Sequence, residues 1–385
     1  MEYRLDELFD LQMGKTPSRN NPAYWDSGIN KWISIGDLSK SGKYISETKE
    51  HLTDLAVNES GISIIPANTV IMSFKLSIGK ISITREPMFS NEAIMSFRDK
   101  HVVDLLTDYV YYLFSGRNWD IGSNKAVMGK TLNKATLSEI KVNIHSIEEQ
   151  HKIVEQLDSA NGIIELHKKK LQLLDNLIKA RFVEMFGDES NPFQWQIINV
   201  EDVADVTVGV VVKPAQYYTD AEHGVKAFRS LNIGQMVIKD EDWVYFSYEG
   251  NDKNAKSQLK ENDLLLVRSG APGTACVVPK QYEGCNAIDI IIARPNTKMV
   301  NPYFLCAYTN MPHGKRQIEE GTGGAAQQHF NVGRYNKLRL MLPPLKLQNA
   351  FADFISQVDK SKAVVQKALD KAQQLFDSLI QEYFG

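Results

Sequence analysis

The chain has 385 residues, a formal net charge of −3 and 43% hydrophobic residues. This length predicts more than one domain, and the composition is typical of a soluble globular protein. The acidic balance excludes general electrostatic attraction to nucleic acid, so any such site requires local clusters of Lys and Arg. The sequence predicts neither a membrane span nor a secretory signal, because no run of 18 apolar residues occurs and the N-terminus is acidic.

The first half of the chain begins with a short amphipathic helix that leads to a glycine, at residues 5–14. Two runs rich in β-branched residues, 69–75 and 79–84, are separated by a short turn and predict a hairpin. An aromatic run at residues 110–114 predicts a helix, and residues 132–187 contain a short apolar run followed by a long helix.

The second half repeats this order. Residues 200–209 match the first amphipathic segment, and residues 263–268 and 273–278 predict a second hairpin. An aromatic helix is predicted again at residues 303–308, and residues 330–385 align without a gap on residues 132–187. The repeat predicts an α+β chain with two globules, each followed by a long helix.

Apolar residues in both long helices recur at alternating spacings of three and four, which is typical of a helix that packs along a partner helix. We expect the two helices to form an antiparallel pair. His167 and Lys362 interrupt the pattern; either their polar ends reach solvent, or they fix the register. The predicted seam consists of Leu157, Ile164, Leu171, Leu174 and Ile178 in the first helix and Ile355, Val358, Val365, Leu369 and Phe376 in the second.

The ends of the long helices carry recognisable signals. Ser146-Ile-Glu-Glu149 is a capping box, Pro343-Pro344 precedes the second helix, and Gly187 and Gly385 suit left-handed C-caps. Each helix would span roughly 60 Å. The expected domain limits are 1–145 and 188–342 for the globules and 146–187 and 343–385 for the helices.

The order of these elements resembles the specificity (S) subunit of type I restriction-modification enzymes. The motifs that carry the resemblance are Gly14-Lys-Thr-Pro17, Trp32-Ile-Ser-Ile-Gly-Asp37, Gln150 and Met185-Phe-Gly187 in the first half, with Leu342-Pro-Pro-Leu345 in the second. The first half has His145-Ser146 in place of the usual Pro-Pro, and the second half has Gly209-Val-Val-Val-Lys213 in place of the first motif.

The resemblance implies a DNA-reading subunit without catalysis. The three cysteines, which lack CxxC spacing, separately predict a reducing cytoplasmic location. Each globule would be a target-recognition domain that reads one half of a bipartite double-stranded target. The helices would set the gap and dock two methyltransferase subunits that carry S-adenosylmethionine. Restriction subunits with motor activity, which use ATP and Mg, would join the complex, and this chain itself would hold no cofactor and no metal.

Residues that could contact DNA lie in local clusters of suitable side chains, since Lys and Arg bind phosphates while Arg, Asn, Gln, Ser and Thr also bind base edges. For each cluster, an ordinary solvated loop is the alternative. The candidates in the first half are Lys15, Thr16, Ser18, Arg19, Lys75, Ser77, Lys80, Lys125, Lys130 and Lys134. Those in the second half are Lys213, Arg229, Arg268, Ser269, Lys315, Arg316, Gln327, Gln328, Asn331 and Arg334.

Catalytic interpretations find little support. Asn21-Pro-Ala-Tyr24 approaches the loop of amino-group methyltransferases but lacks a glycine-rich cofactor loop after a strand, and Gly129-Lys-Thr131 lacks the first glycine of a P-loop. The histidines and the three cysteines show no metal-ligand spacing. Two alternative functions stay open. One is a coiled-coil scaffold that binds proteins rather than DNA, and the other is an enzyme whose active site the sequence does not reveal.

Overall fold

A computed structural model describes residues 1–75, 77–119, 132–321 and 330–385. The chain forms two compact units. Unit 1 combines Met1–Lys168 with Lys367–Gly385, and unit 2 consists of Lys169–Gln366. Each unit therefore contains one globule and parts of both long helices, while the predicted domain limits stay a prediction.

The globule of unit 1 is a mixed α/β structure. Its helices are Leu5–Leu8, Ile35–Leu38, Asp54–Ser60, Thr107–Ser115 and Lys134–Ser138, with a 3₁₀ turn at Pro22–Tyr24. Its strands are Glu2–Arg4, Phe9–Met13, Asn30–Ile33, Tyr44–Ile45, Glu50–Leu52, Val70–Ser73, Ile81–Thr84, Phe89–Ser90, Ile94–Asp99 and Lys141–Asn143.

A five-stranded sheet forms the centre of unit 1, and the predicted hairpin lies within it. Val70–Ser73 pairs antiparallel with Ile81–Thr84, which confirms that prediction. The strands of this sheet, in spatial order, are Phe9–Met13, Ile94–Asp99, Val70–Ser73, Ile81–Thr84 and Tyr44–Ile45. The predicted aromatic helix is confirmed as Thr107–Ser115, and it buries Tyr109 and Phe114 in the core of this unit.

The globule of unit 2 is built from a similar set of elements. Its helices are Tyr248–Lys253, Pro302–Asn310, Pro312–Gly321 and Val332–Asn336, with 3₁₀ turns at Val200–Asp202, Pro214–Tyr217, Ser230–Asn232, Ala255–Ser257 and Lys280–Tyr282. Its strands are Gln196–Asn199, Ala204–Val208, Tyr218–Thr219, Gly224–Phe228, Ile233–Gly234, Val237–Ile238, Val244–Ser247, Leu264–Val267, Ala275–Val277, Asn286–Ala287, Ile290–Pro295 and Arg339–Leu342.

The central sheet of unit 2 repeats the order found in unit 1. The strands of this sheet, in spatial order, are Ala204–Val208, Ile290–Pro295, Leu264–Val267 and Ala275–Val277. The last two pair antiparallel and form the predicted second hairpin. Both halves also differ from the prediction in one respect. The first amphipathic segment does not lead directly to its glycine, because a strand, Phe9–Met13 or Ala204–Val208, lies between them.

The two long helices each contain 40 residues, Ile147–Phe186 and Leu345–Phe384. In unit 2 they run antiparallel, since Phe182 contacts Phe351 (ring centroids 5.5 Å apart) and Asp175 binds Lys362 further along both helices (2.7 Å). All ten predicted seam residues are buried or half-buried. Lys362 thus forms an ion pair across the seam, which favours a role in the register.

A pair of buried glutamines explains one of the few identities between the repeats. Gln150 donates to the carbonyl oxygens of Asp104 and His145 and accepts from the amide of Leu106. Gln348, at the same point of the second helix, makes three equivalent backbone hydrogen bonds. Each glutamine satisfies its side-chain amide in the interior while fastening a loop of the globule to the start of a long helix.

The predicted helix ends agree with the structure where they can be compared. Ser146 and Glu149 form the capping box, in which the amide of Glu149 donates to the Ser146 hydroxyl and the Glu149 carboxylate accepts from the amide of Ser146. Gly187 has a φ of +84°, as expected for a left-handed C-cap. The second helix begins directly after Pro343-Pro344.

An ion-pair cluster joins the globule of unit 1 to the first long helix. The buried ammonium group of Lys43 binds Asp108 (2.9 Å) and Asp158 of the helix. The hydroxyl of Tyr112 also donates to Asp158 (2.5 Å), and burial together with this carboxylate raises the pKa of Tyr112. These contacts fix the helix Thr107–Ser115 against the long helix.

Cys276, Cys285 and Cys306 are free thiols, and burial raises the pKa of Cys285 to about 11. No helix in the described part of the chain is long and apolar enough to cross a membrane. Within the same residues, no three His, Cys, Asp or Glu side chains group closely enough to hold a metal ion.

Candidate nucleic-acid interface

Each unit carries a loop, here called the tip loop, that follows the first strand of the central sheet. It comprises residues 14–19 in unit 1 and 209–213 in unit 2. In unit 1 the amide of Gly14 donates to the carbonyl oxygen of Ile94 (3.1 Å), and that of Lys15 donates to Ser90 (2.9 Å). A side chain at Gly14 would overlap the carbonyl oxygens of Ser90 and Asn91, so only glycine fits.

The tip loop of unit 2 is anchored in the same way. The amide of Gly209 donates to Ile290 (2.9 Å) and that of Val210 donates to Ala287 (2.8 Å). A Cβ atom at Gly209 would overlap the carbonyl oxygen of Ala287. The matched glycines of the two repeats therefore hold a loop tightly against the neighbouring strand. Lys213, at the end of this loop, is exposed and has a φ of +44°.

The polar candidates of the first tip loop are bound within the unit. The Lys15 ammonium donates to the carbonyl oxygen of Ser60, and the Thr16 hydroxyl donates to the carboxylate of Glu92. Ser18 is exposed, and its carbonyl oxygen accepts from the indole of Trp25 (3.1 Å). These contacts give the loop a defined shape.

Arg19 lies on an aromatic surface. Its guanidinium is 3.8 Å from the ring centroid of Trp25 and 4.9 Å from that of Trp32, and it forms an ion pair with Glu50. The hydrogen bond from Arg19 lowers the pKa of the Glu50 carboxyl. Arg19 is therefore oriented by Glu50, which also offsets its charge, and no spacing in the sequence indicates this pairing.

The hairpin turn of unit 1 lies beside the tip loop. The Lys75 ammonium is 4.0 Å from the sulfur of Met13, the residue before the tip loop. The amide of Ser77 donates to the carbonyl oxygen of Lys75 (2.8 Å). Lys80 is exposed, and its amide donates to the hydroxyl of Ser73 (3.0 Å). The structure thus places Lys75, a candidate from the hairpin turn, next to the tip loop of the same unit.

Glu92 is an acidic residue at this junction. Its pKa is lowered first by the hydrogen bond from Thr16, and the charges of Lys75 and Arg19 lower it further. One carboxylate therefore faces candidates from both loops of unit 1. In unit 2 an acidic residue has the comparable role, since Asp289 binds the guanidinium of Arg268.

In both units a later part of the chain binds the hairpin again, at a residue here called the return point, which is Leu132 in unit 1 and Phe330 in unit 2. The amide of Leu132 donates to Phe74 (3.1 Å), and that of Phe330 donates to Arg268 (3.2 Å). The guanidinium Nε of Arg268 also donates back to the carbonyl oxygen of Phe330 (3.2 Å). The segments that precede these points contain four candidates outside the described residues, Lys125, Lys130, Gln327 and Gln328.

Short helices follow both return points, and each is capped by an asparagine. The side-chain oxygen of Asn133 accepts from the amide of Thr136, and that of Asn331 accepts from Arg334 (3.0 Å). This accounts for the asparagine that opens both repeats and shows that the oxygen of Asn331, a DNA candidate, is engaged in a cap. Lys134 is exposed at the start of its helix.

The remaining candidates belong to unit 2. Ser269 lies in the hairpin turn of that unit, and the others lie elsewhere in it. Arg229 donates to the carbonyl oxygen of Asp242, and Arg316 forms an ion pair with Glu189, which follows the first long helix (2.5 Å). Lys315 is half-buried in the helix Pro312–Gly321, and Ser269 directly follows Arg268. The three arginines Arg19, Arg268 and Arg316 are thus each paired with an acid that sequence spacing gave no means of finding.

Replacing Gly14 or Gly209 by alanine should lower the free energy of unfolding by ~1–3 kcal/mol, because the added methyl group overlaps backbone oxygens that cannot move independently. Gly42→Ala is the matched control, since a methyl group there meets nothing within 4 Å. Urea denaturation measures the free energy of unfolding of the three variants. Equal effects at Gly42 and Gly209 would show that the tip loops are not held as described.

Known proteins with similar sequences are specificity subunits. The chain is 22% identical to the type I restriction enzyme MjaIX specificity subunit of Methanocaldococcus jannaschii over 98% of this chain and 90% of that protein. It is 20% identical to the EcoprrI specificity subunit of Escherichia coli over 92% of this chain and 86% of that protein.

Solved structures show the same fold. The S subunit of a type I restriction-modification system from M. genitalium superimposes with a TM-score of 0.57, at 13% identity over 100% of this chain and 96% of that chain. A chain from work on complex assembly and conformational transition of the type I R-M system gives 0.58, at 14% identity over 100% and 97%. The family model for the type I restriction modification DNA specificity domain matches residues 1–176 and again 192–374. The chain therefore belongs to the type I restriction-modification DNA specificity family.

Proposed function

We propose that this specificity subunit reads DNA directly, with each globule contacting one half of a bipartite double-stranded target and with no catalytic residues of its own. The observation that carries the proposal is the repeated arrangement of tip loop, hairpin turn and return point in both units. In each case groups from separate stretches lie together. In unit 1, Thr16 of the tip loop binds Glu92, and the charge of Lys75 from the hairpin turn acts on the same carboxylate. In unit 2, Asp289 binds Arg268 of the hairpin turn and the backbone of Val210 in the tip loop.

The ion pairs at these places suit DNA recognition. An arginine bound to one carboxylate keeps its guanidinium in a fixed orientation, and base contacts require such an orientation more than phosphate contacts do. Arg19 is held by Glu50 and two tryptophans, and Arg268 is held by Asp289 and Phe330. Exposed lysines such as Lys134 and Lys213 are suited to phosphates.

The long helices are proposed to set the gap between the half-sites and to dock two methyltransferase subunits. Their exposed faces support docking, since Leu173 (57% exposed) and Leu177 lie on the outside of the first helix in unit 2 and Leu166 (68% exposed) lies outside in unit 1. Water-exposed leucines four residues apart form an apolar surface that suits a partner helix.

The cofactors of the proposed complex belong to other chains. The methyltransferase subunits would carry S-adenosylmethionine, and restriction subunits with motor activity would use ATP and Mg. This assignment follows from family membership, and one solved relative was studied as part of an assembling type I R-M system. The same family membership supports the proposal that this chain acts without chemistry of its own.

A salt titration of duplex binding tests the proposal. We expect the logarithm of the affinity to fall steeply with the logarithm of the salt concentration, because phosphate contacts release counterions. Lys213→Gln should reduce that slope by about 0.9, the value for one phosphate contact. Lys346→Gln, which removes an exposed lysine at the start of the second long helix, is the matched control and should leave the slope unchanged.

The same titration separates the alternative function, a coiled-coil scaffold that binds proteins. Such a scaffold would show weak duplex affinity without sequence preference, and Lys213→Gln would behave like Lys346→Gln. Either result would remove the basis for direct DNA reading by this chain.

A further inference from the structure

The tip loop of unit 2 exposes two consecutive valines. Val211 is 50% exposed and Val212 is 74% exposed, whereas Val210 before them is half-buried against the sheet. A single exposed valine is common on protein surfaces. Two in succession, on the loop that carries the DNA-binding candidate Lys213, make a small apolar surface where the matched positions of unit 1 are Thr16 and Pro17.

This apolar surface is held in place on both sides. The amide of Val210 donates to Ala287 (2.8 Å), and the carbonyl oxygen of Val210 accepts from the amide of Asp289 (3.2 Å). On the other side, the carbonyl oxygen of Lys213 accepts from Gln216 at the start of the 3₁₀ turn Pro214–Tyr217. The valines therefore project from a fixed backbone, and little conformational entropy is lost when they bind.

Charged groups adjoin the valines. Lys213 follows them directly and is exposed. Asp289, whose amide binds the backbone of Val210, also binds the guanidinium of Arg268. An apolar surface with a lysine and an oriented arginine beside it matches a DNA groove, where phosphates lie next to base edges.

The tip loop of unit 1 has a different chemistry. At the positions that match Val211 and Val212, the hydroxyl of Thr16 donates to Glu92 and Pro17 is buried, so neither residue offers an exposed apolar side chain. The repeat thus keeps the anchored backbone and changes the side chains. Such a difference is expected where two related modules read different base pairs.

We infer that Val211 and Val212 contact the 5-methyl group of thymine in the major groove of the half-site that unit 2 reads, an inference that rests on the proposed function. Among the groups that base pairs present in the major groove, the thymine methyl is the apolar one. Burying it against a valine removes both from water, and the gain for one methyl group corresponds to about fourfold in affinity.

Deoxyuridine substitution tests this inference because it removes that methyl group and leaves every hydrogen-bonding group of the base in place. A target is first selected from a random duplex library with the full chain. Each thymine of the target is then replaced by deoxyuridine, and the affinities of the wild-type chain and of Val211→Ala/Val212→Ala are compared. Val237→Ala is the matched control, since Val237 is equally exposed (51%) elsewhere in unit 2.

The expected result is at least one thymine, confined to one half-site, at which deoxyuridine weakens wild-type binding about fourfold. The double variant should bind thymine and deoxyuridine equally there, and Val237→Ala should behave like the wild type. A target whose half-sites lack such a thymine, or equal deoxyuridine effects in wild type and double variant, would overturn the inference. A double variant that binds every duplex like the wild type but loses a protein partner would also overturn it. Failure to select any sequence would instead contradict the proposed function itself.

Discussion

Replacing Phe186 by alanine should lower the free energy of unfolding by ~3–5 kcal/mol, the largest stability change that we expect from one substitution in this chain. The Phe186 ring is fully buried at the end of the first long helix. Its centroid is 4.8 Å from that of Phe304, 5.4 Å from that of Phe351 and 5.1 Å from that of Phe182. These partners come from a helix of the globule and from both long helices, so one side chain joins three elements of unit 2.

Leu177→Ala is the matched control for Phe186→Ala. Leu177 lies on the same helix but is 46% exposed, and its loss should change the free energy of unfolding by only about 0.5 kcal/mol. Calorimetry and urea denaturation measure both variants. If the two substitutions destabilised the chain equally, the aromatic cluster would not be the junction between globule and helices in unit 2.

Shortening both long helices by four residues should reduce the gap of the DNA target by roughly two base pairs, since four helical residues span ~6 Å and each base pair rises ~3.4 Å. The deletion removes Lys168–Leu171 and Gln366–Leu369, which are equivalent in the repeat. Four residues turn a helix by about 400°, so the seam residues return to within ~40° of their original direction and the helices can still pack.

An insertion of seven residues at each of the same places serves as the counterpart. Seven residues preserve the alternating three-and-four spacing of the seam and should lengthen the gap by about three base pairs. Selection of target duplexes from a random library with each variant shows the number of base pairs between the two half-sites. Unchanged gaps in both variants would contradict the role of the helices as a spacer, whatever the half-sites contain.

Local patterns allowed the sequence to predict the framework of the fold. The repeat of residues 132–187 in residues 330–385, the alternating seam spacing and the β-branched hairpins are all visible over short stretches. They depend on the periods of helix and strand, which a single sequence displays directly. The seam residues, the capping box at Ser146 and the pairing of the hairpin strands followed from these periods.

Contacts between distant parts of the chain could not be predicted in this way. The acids that hold the candidate arginines, among them Glu50 and Asp289, are far from them in sequence, and no spacing rule connects such pairs. The same holds for Lys43, which binds Asp158 of the long helix. Residue type and local clustering therefore indicate the candidate cations, whereas the orientation of these side chains depends on tertiary partners.

The anchoring of the tip loops illustrates an intermediate case. Gly14 and Gly209 occupy matching positions in the two halves, and this pattern in the sequence indicates a turn in each. The physical reason, a close approach to Ser90 in unit 1 and Ala287 in unit 2, required the neighbouring strand. Likewise, an asparagine lies near the start of both repeats, at positions 133 and 331, and the structure identifies both as helix caps.

The central claim, that the two globules read separate half-sites, is tested most directly by exchanging one of them. Residues 188–342 would be replaced by the corresponding segment of another family member, and the methylated target of the resulting complex would be mapped. The account predicts that one half-site changes while the other half-site and the gap stay the same. A change in both half-sites, or in neither, would contradict it.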